Sequence, residues 1–221
     1  MSGYEIIIMI LVMVGIFYLF MIHPAQKKKA LEEDQFGTNP KVIAYFCKQD
    51  SFFSKNITDD EYMSMVRAKR DILNLRQKAI NKIGLDEDEI KEIPPAMFEG
   101  FVFSNAFAKR RTDGKWVSSS YQVSWIFFSS TQVYLYSYTF KMDEEYKAES
   151  TDEFFYKDVT SFSTSSKTET TKGLQGKSFT VESNKFAMIV PGATLYKSMD
   201  GVPDADLIIQ AMKQKLREKK I

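Results

Sequence analysis

Residues 115–143, KWVSSSYQVSWIFFSSTQVYLYSYTFKMD, change the rhythm of the chain. Tyr121, Val123, Trp125 and Phe127 alternate with Gln122, Ser124, Ile126 and Phe128, and Tyr134, Tyr136, Tyr138 and Phe140 share one face of the next segment. A period of two with aromatic and β-branched side chains on one face is the mark of antiparallel strands with a face to bury. The short SSTQ connection (129–132) predicts a hairpin between them.

The same signal extends both ways. FEGFVFSNAF (98–107) precedes the pair, and DEFFYKDV (152–159), SFSTS (161–165), KSFTVES (177–183), KFAMIV (185–190) and ATLYKS (193–198) follow it as further short strands. A helix closes the chain: Pro203 suits its first turn, and Ala205, Ile208, Ile209, Met212 and Leu216 form an apolar stripe. About seven strands followed by one amphipathic helix predict a β-barrel or sandwich over 98–221, plugged at one end by that helix.

Three stretches carry a family resemblance: WIFFSSTQVYLYSYTF, EFFYKDVTSFSTS with its Asp158-Val159-Thr160-Ser161-Phe162 unit, and SFTVESNKFAMIV before the final helix. Together they resemble a bacterial pleckstrin-homology-like (PH/GRAM) domain. The resemblance covers about residues 98–219. It implies a seven-stranded, two-sheet barrel capped by the C-terminal helix, and roles in binding lipid headgroups, peptides or protein partners.

Before residue 97 the pattern is helical. NPKVIAYFCKQD (39–50) predicts a short helix capped by Asn39, with Cys47 as a small buried hydrophobe. In TDDEYMSMVRAKRDILNLRQKAINKIGL (58–85), Thr58 and Glu61 have capping-box spacing and Gly84 ends the segment. Tyr62, Met65, Val66, Ile72, Leu73, Ala79, Ile80 and Ile83 form one stripe of a single predicted helix. Asp86 and Glu89 repeat the capping spacing, and Pro94 and Pro95 stop any helix.

Residues 4–22, YEIIIMILVMVGIFYLFMI, hold one charge, Glu5. As a helix they span about 28 Å, close to a ~30 Å hydrocarbon core, which predicts a transmembrane helix. No Lys or Arg precedes this span, while Lys27, Lys28 and Lys29 follow it. The positive-inside rule then puts the N-terminus outside and the C-terminal domain in the cytoplasm of a single-pass protein of the bacterial inner membrane. The predicted fold class is therefore α+β: a transmembrane helix (4–22), a helical juxtamembrane connector (23–97) and a PH-like β domain with its C-terminal helix (98–221). FYLFMIHPAQKKK (17–29) also resembles the membrane exit of the small YajC-type accessory subunit of the bacterial Sec translocon, over those residues alone.

The chemistry is restricted. Lys and Arg number 30 against 29 Asp and Glu, which gives no footprint for nucleic acid. One cysteine excludes an intrachain disulfide, and one histidine, His23, leaves soft-metal sites and histidine triads without raw material. Gly173-Leu174-Gln175-Gly176-Lys177-Ser178 has two residues between its glycines where a phosphate loop needs four, and a strand pattern follows it. No enzyme and no cofactor are expected.

Lys109-Arg110-Arg111-Thr112-Asp113-Gly114-Lys115 reads as a basic hairpin tip with Asp-Gly turn chemistry. Lys109, Arg110, Arg111 and Lys115, with Lys27 to Lys29, are candidate ligands for anionic lipid headgroups. Charge that merely keeps an exposed turn soluble is the commoner meaning of such a tip. The expected function is a membrane-anchored scaffold that recruits a protein partner. The alternatives are an anionic-lipid sensor and an accessory subunit of a translocation complex, and self-association is left open.

Overall fold

The alternation of residues 115–143 becomes two strands paired in register, Tyr121 opposite Phe140, Val123 opposite Tyr138, Trp125 opposite Tyr136 and Phe127 opposite Tyr134. The structure is a computed structural model that describes residues 39–46, 57–86, 88, 94–172 and 178–220. Three helices come first, α1 (Pro40–Phe46), α2 (Asp59–Ile72) and α3 (Leu75–Ile83). The strands are β1 (Ala96–Val102), β2 (Ala108–Arg110), β3 (Trp116–Ser118), β4 (Ser120–Phe128), β5 (Gln132–Lys141), β6 (Lys147–Phe155), β7 (Ser161–Lys172), β8 (Ser178–Val190) and β9 (Ala193–Ser198). Helix α4 (Ala205–Lys219) closes the chain.

The strands form a four-stranded sheet ordered β1-β4-β5-β6, a three-stranded sheet ordered β7-β8-β9, and the small β2-β3 ribbon between β1 and β4. Every pairing is antiparallel. KSFTVES and KFAMIV join through Asn184 into the single strand β8, paired along β7 from Ser161–Ile189 to Lys172–Ser178.

Over β1, β4 and β5, both faces of the four-stranded sheet are covered. Between the sheets, Phe98, Ile126, Phe128, Val133 and Leu135 meet Phe162, Phe186 and Met188, and α4 adds Ile209, Met212 and Leu216. Val159 and Phe162 of the Asp-Val-Thr-Ser-Phe unit are fully buried there. The opposite, aromatic face packs against the N-terminal helices: Tyr62, Val66, Leu75, Ala79 and Ile80 lie with Tyr121, Val123, Phe127, Tyr136, Tyr138 and Phe140 in one cluster. The helical segment is thus a layer of the domain.

Thr58 caps α2 with both halves of the capping box in place. The single helix predicted over 58–85 breaks at Asn74, whose φ of 44° lies in the left-handed region that Asn tolerates. The break resets the phase of the stripe: Leu75 is buried, while Ile72 is 84% exposed. Gly84, at φ 78°, ends α3.

The fold class and the membrane placement need correction. The described chain is a mostly β-sheet domain with few helices, and none of its described helices is long and apolar enough to cross a membrane. Residues 4–22, like Lys27 to Lys29 and Cys47, lie outside the described residues. The structure therefore gives no support to a transmembrane helix, and the single-pass inner-membrane placement built on it is withdrawn.

Candidate functional site

The basic hairpin is held, not free. Its turn closes through Arg111 N–H to Lys115 O (2.8 Å) and Gly114 N–H to Arg111 O (3.1 Å), with Gly114 at φ 83°. The tip docks on the first turn of α2: Thr112 gives its N–H (2.9 Å) and its hydroxyl (3.0 Å) to Asp59 Oδ2. Tyr45 donates to Asp59 Oδ1 at 2.7 Å. Lys109 Nζ sits 3.9 Å from Asp59 and 4.1 Å from the centre of the Tyr45 ring. Arg111 lies 3.3 Å from Asp113 and 3.9 Å from Asp60. Arg110 turns back to Gly114 O, and Lys115 is exposed.

Burial alone would raise the Asp59 carboxyl, but the hydrogen bonds from Thr112 and Tyr45 and the charge of Lys109 outweigh it and hold it below its usual range. A lowered carboxylate adds stability that is fully present above about pH 4 and is lost as pH falls through its folded-state pKa. Asp59→Ala should free the tip. Trypsin cleavage after Arg110 or Arg111 in the folded protein is expected to rise about tenfold, the scale of a lost hydrogen bond to a charged group. Unchanged cleavage would show that other contacts hold the hairpin.

A second cluster joins the two sheets at the β1/β9 corner. Ser198 gives its hydroxyl to Phe101 O (3.0 Å) and its N–H to Gln122 Oε1 (3.0 Å), and Gly201 N–H bonds Glu99 O at 3.0 Å. The approach leaves little room beside the β1 backbone. A Cβ on Gly100 would lie 3.0 Å from Asp200 N and 3.1 Å from Ser198 Cβ.

Lys185 is buried beside this seam, 2.9 Å from Glu169 and 3.2 Å from Ser198 Oγ. Lys185 donates to the Ser198 oxygen, whose own proton is directed to Phe101 O, so the pair serves as a strut. Arg70 of α2 reaches Glu99 of β1 at 2.7 Å and bolts the helical layer to the same corner.

The opposite side of the first sheet is different. Strand β6 hydrogen-bonds β5 along one edge, from Gln132–Phe155 to Phe140–Lys147. Among the described residues no strand pairs with its other edge. Seven of its nine residues are exposed. Its side chains are fixed by their β5 neighbours: Lys147, Glu149, Thr151, Glu153 and Phe155 share the helix-side face, and Ala148, Ser150, Asp152 and Phe154 share the other. On the helix side, Lys82 of α3 lies 3.1 Å from Glu149, which also accepts from Tyr136 (2.8 Å), and Glu153 accepts from Gln132.

Among the described residues no three His, Cys, Asp or Glu side chains come together as metal ligands would. The chain matches no protein-family model, no curated protein and no solved structure.

Sequence reasoning located the hairpin but missed the groups that occupy it. Asp59 and Asp60 lie in the first turn of α2, and nothing in the order of residues places them against a turn some fifty positions on. Glu99, Glu169 and Lys185 carried no local signal either, because each finds its partner across elements. The open edge of β6 had a faint one: KAESTDEFF is polar and acidic where the neighbouring strands are aromatic.

Proposed function

We propose that this chain is a non-enzymatic binding module that recruits a protein partner by strand addition at β6. The observation that carries this is the nine-residue exposed strand whose outer backbone groups meet no strand among the described residues. An extended segment can complete such an edge through main-chain hydrogen bonds, with alternate side chains setting specificity. The four-plus-three strand order ending in a helix supports the PH-like reading, and peptide or protein binding is among the roles that resemblance implies.

The lipid-headgroup reading is weaker on this geometry. Lys109 and Arg111 lie against Asp59, Asp60 and Asp113, so an anionic headgroup would have to displace carboxylates already in place. The translocation reading rests on residues 17–29, outside the described residues.

A photoreactive p-benzoylphenylalanine in place of Thr151, in the full-length chain in its host cells, tests the proposal. Irradiation is expected to give discrete protein adducts, and the same group in place of Gln210 on the exposed side of α4 is expected to give few. Equal adducts at both positions, or adducts at Gln210 alone, would overturn it.

A further inference from the structure

We infer that the partner taken by β6 is a second copy of this chain, paired antiparallel about a twofold axis through Ser150. The inference rests on strand addition at β6 and names its occupant.

An antiparallel pair of identical strands related by a twofold axis sets a residue opposite one on its own face, so the axis must pass through a residue position. Five centres within β6 give an overlap of five residues or more, namely Glu149, Ser150, Thr151, Asp152 and Glu153. Four of them place carboxylates against each other. Centring on Glu149, Asp152 or Glu153 opposes that residue to its own copy, and centring on Thr151 sets Glu149 against Glu153. Like charges directly opposite are destabilising.

Only the Ser150 centre avoids this. It places Lys147 opposite Glu153 of the second copy, and Glu153 opposite that copy's Lys147, so two ion pairs form by symmetry. Glu149 then faces Thr151, Ala148 faces Asp152, and Ser150 faces itself. Lys147 is exposed, with no ion pair among the described residues, and lies on the same face as Glu153. One step further out, the exposed Tyr146 meets Phe154, an apolar cross-strand pair at each end.

The charges on β6 therefore do two things. They discourage indiscriminate edge pairing, as charged edge strands do, and they leave one register of self-pairing favourable. The product is an eight-stranded sheet running through two domains, with the helical layers on one face and the second sheets on the other.

Cysteine crosslinking in the full-length chain, with Cys47→Ser as background, tests both the partner and the register. Directly opposed cysteines in an antiparallel pair lie within disulfide reach. Ser150→Cys is expected to give a disulfide dimer on mild oxidation, and Thr151→Cys to give several-fold less. A second arm follows the charges: Lys147→Glu should lower the Ser150→Cys dimer yield about tenfold, and adding Glu153→Lys should restore it.

A Thr151→Cys dimer stronger than that of Ser150→Cys overturns the register. A Ser150→Cys chain that stays monomeric while the Thr151 photoprobe captures other proteins overturns self-pairing and leaves recruitment at β6 standing. No adduct by either chemistry overturns both.

Discussion

Replacing Tyr62 with alanine is expected to lower the unfolding free energy by about 3–5 kcal/mol, the range for removing a large aromatic ring from a well-packed core. The ring is fully buried, stacked at 4.4 Å on Tyr45, edge-on to Phe46 at 5.3 Å, and parallel to Phe101 at 6.4 Å. Its hydroxyl donates to Ser118 O at 2.7 Å. Tyr62 thus joins α1 and α2 to β1 and β3. Small domains hold only about 5–15 kcal/mol in total, so a loss of this size takes a large share.

Tyr62→Phe keeps the packing but leaves the Ser118 carbonyl without that donor, at a cost of about 1–3 kcal/mol. Urea unfolding measures both variants, and hydrogen exchange should show α1 and α2 losing protection before β8. A loss below about 1 kcal/mol for the alanine variant would mean that the helical layer does not rest on this ring.

Alkaline pH should unfold the protein in one cooperative step. Among the described residues, six tyrosines have their phenols raised above the ordinary value: Tyr45, Tyr62, Tyr121, Tyr136, Tyr138 and Tyr156. Burial is the largest cause in each. Nearby carboxylates add to it through Asp59 at Tyr45, Glu99 at Tyr121 and Glu149 at Tyr136. Tyr156, where burial acts alone, is pushed up to about 12.

The sign follows from proton counting. Near pH 10 the unfolded chain releases phenolic protons that the folded chain still holds, so unfolding is increasingly favoured as pH rises. The stability is fully present below about pH 10 and lost above it. The tyrosinate absorbance of these six should therefore appear together with the loss of near-ultraviolet circular dichroism. Smooth titration of every ring near pH 10, with the fold intact, would contradict the burial of these phenols.

The two experiments also separate what the order of residues encodes from what the fold adds. Alternation over 120–128 and 132–141 determined two strands, their pairing and which side chains share a face. Thr58 with Glu61, and Gly84, determined where the helical segment starts and stops, because caps act within three or four residues. The basic turn at 109–115 was legible for the same reason.

What covers each face was not legible. Period two says that Tyr136 and Leu135 point opposite ways, but not that Tyr136 meets helices while Leu135 meets the second sheet. Both are apolar, and burial rewards either arrangement at the same rate per unit area. The ion pairs Arg70–Glu99 and Lys185–Glu169, and the docking of Thr112 on Asp59, depend on partners 29, 16 and 53 positions apart. The exposed edge of β6 is likewise a property of sheet order. Local rules therefore determined the elements, while the tertiary structure alone decided which charges are spent inside the molecule and which backbone is left to meet another, because electrostatics and strand pairing act through space and leave no periodic trace along the chain.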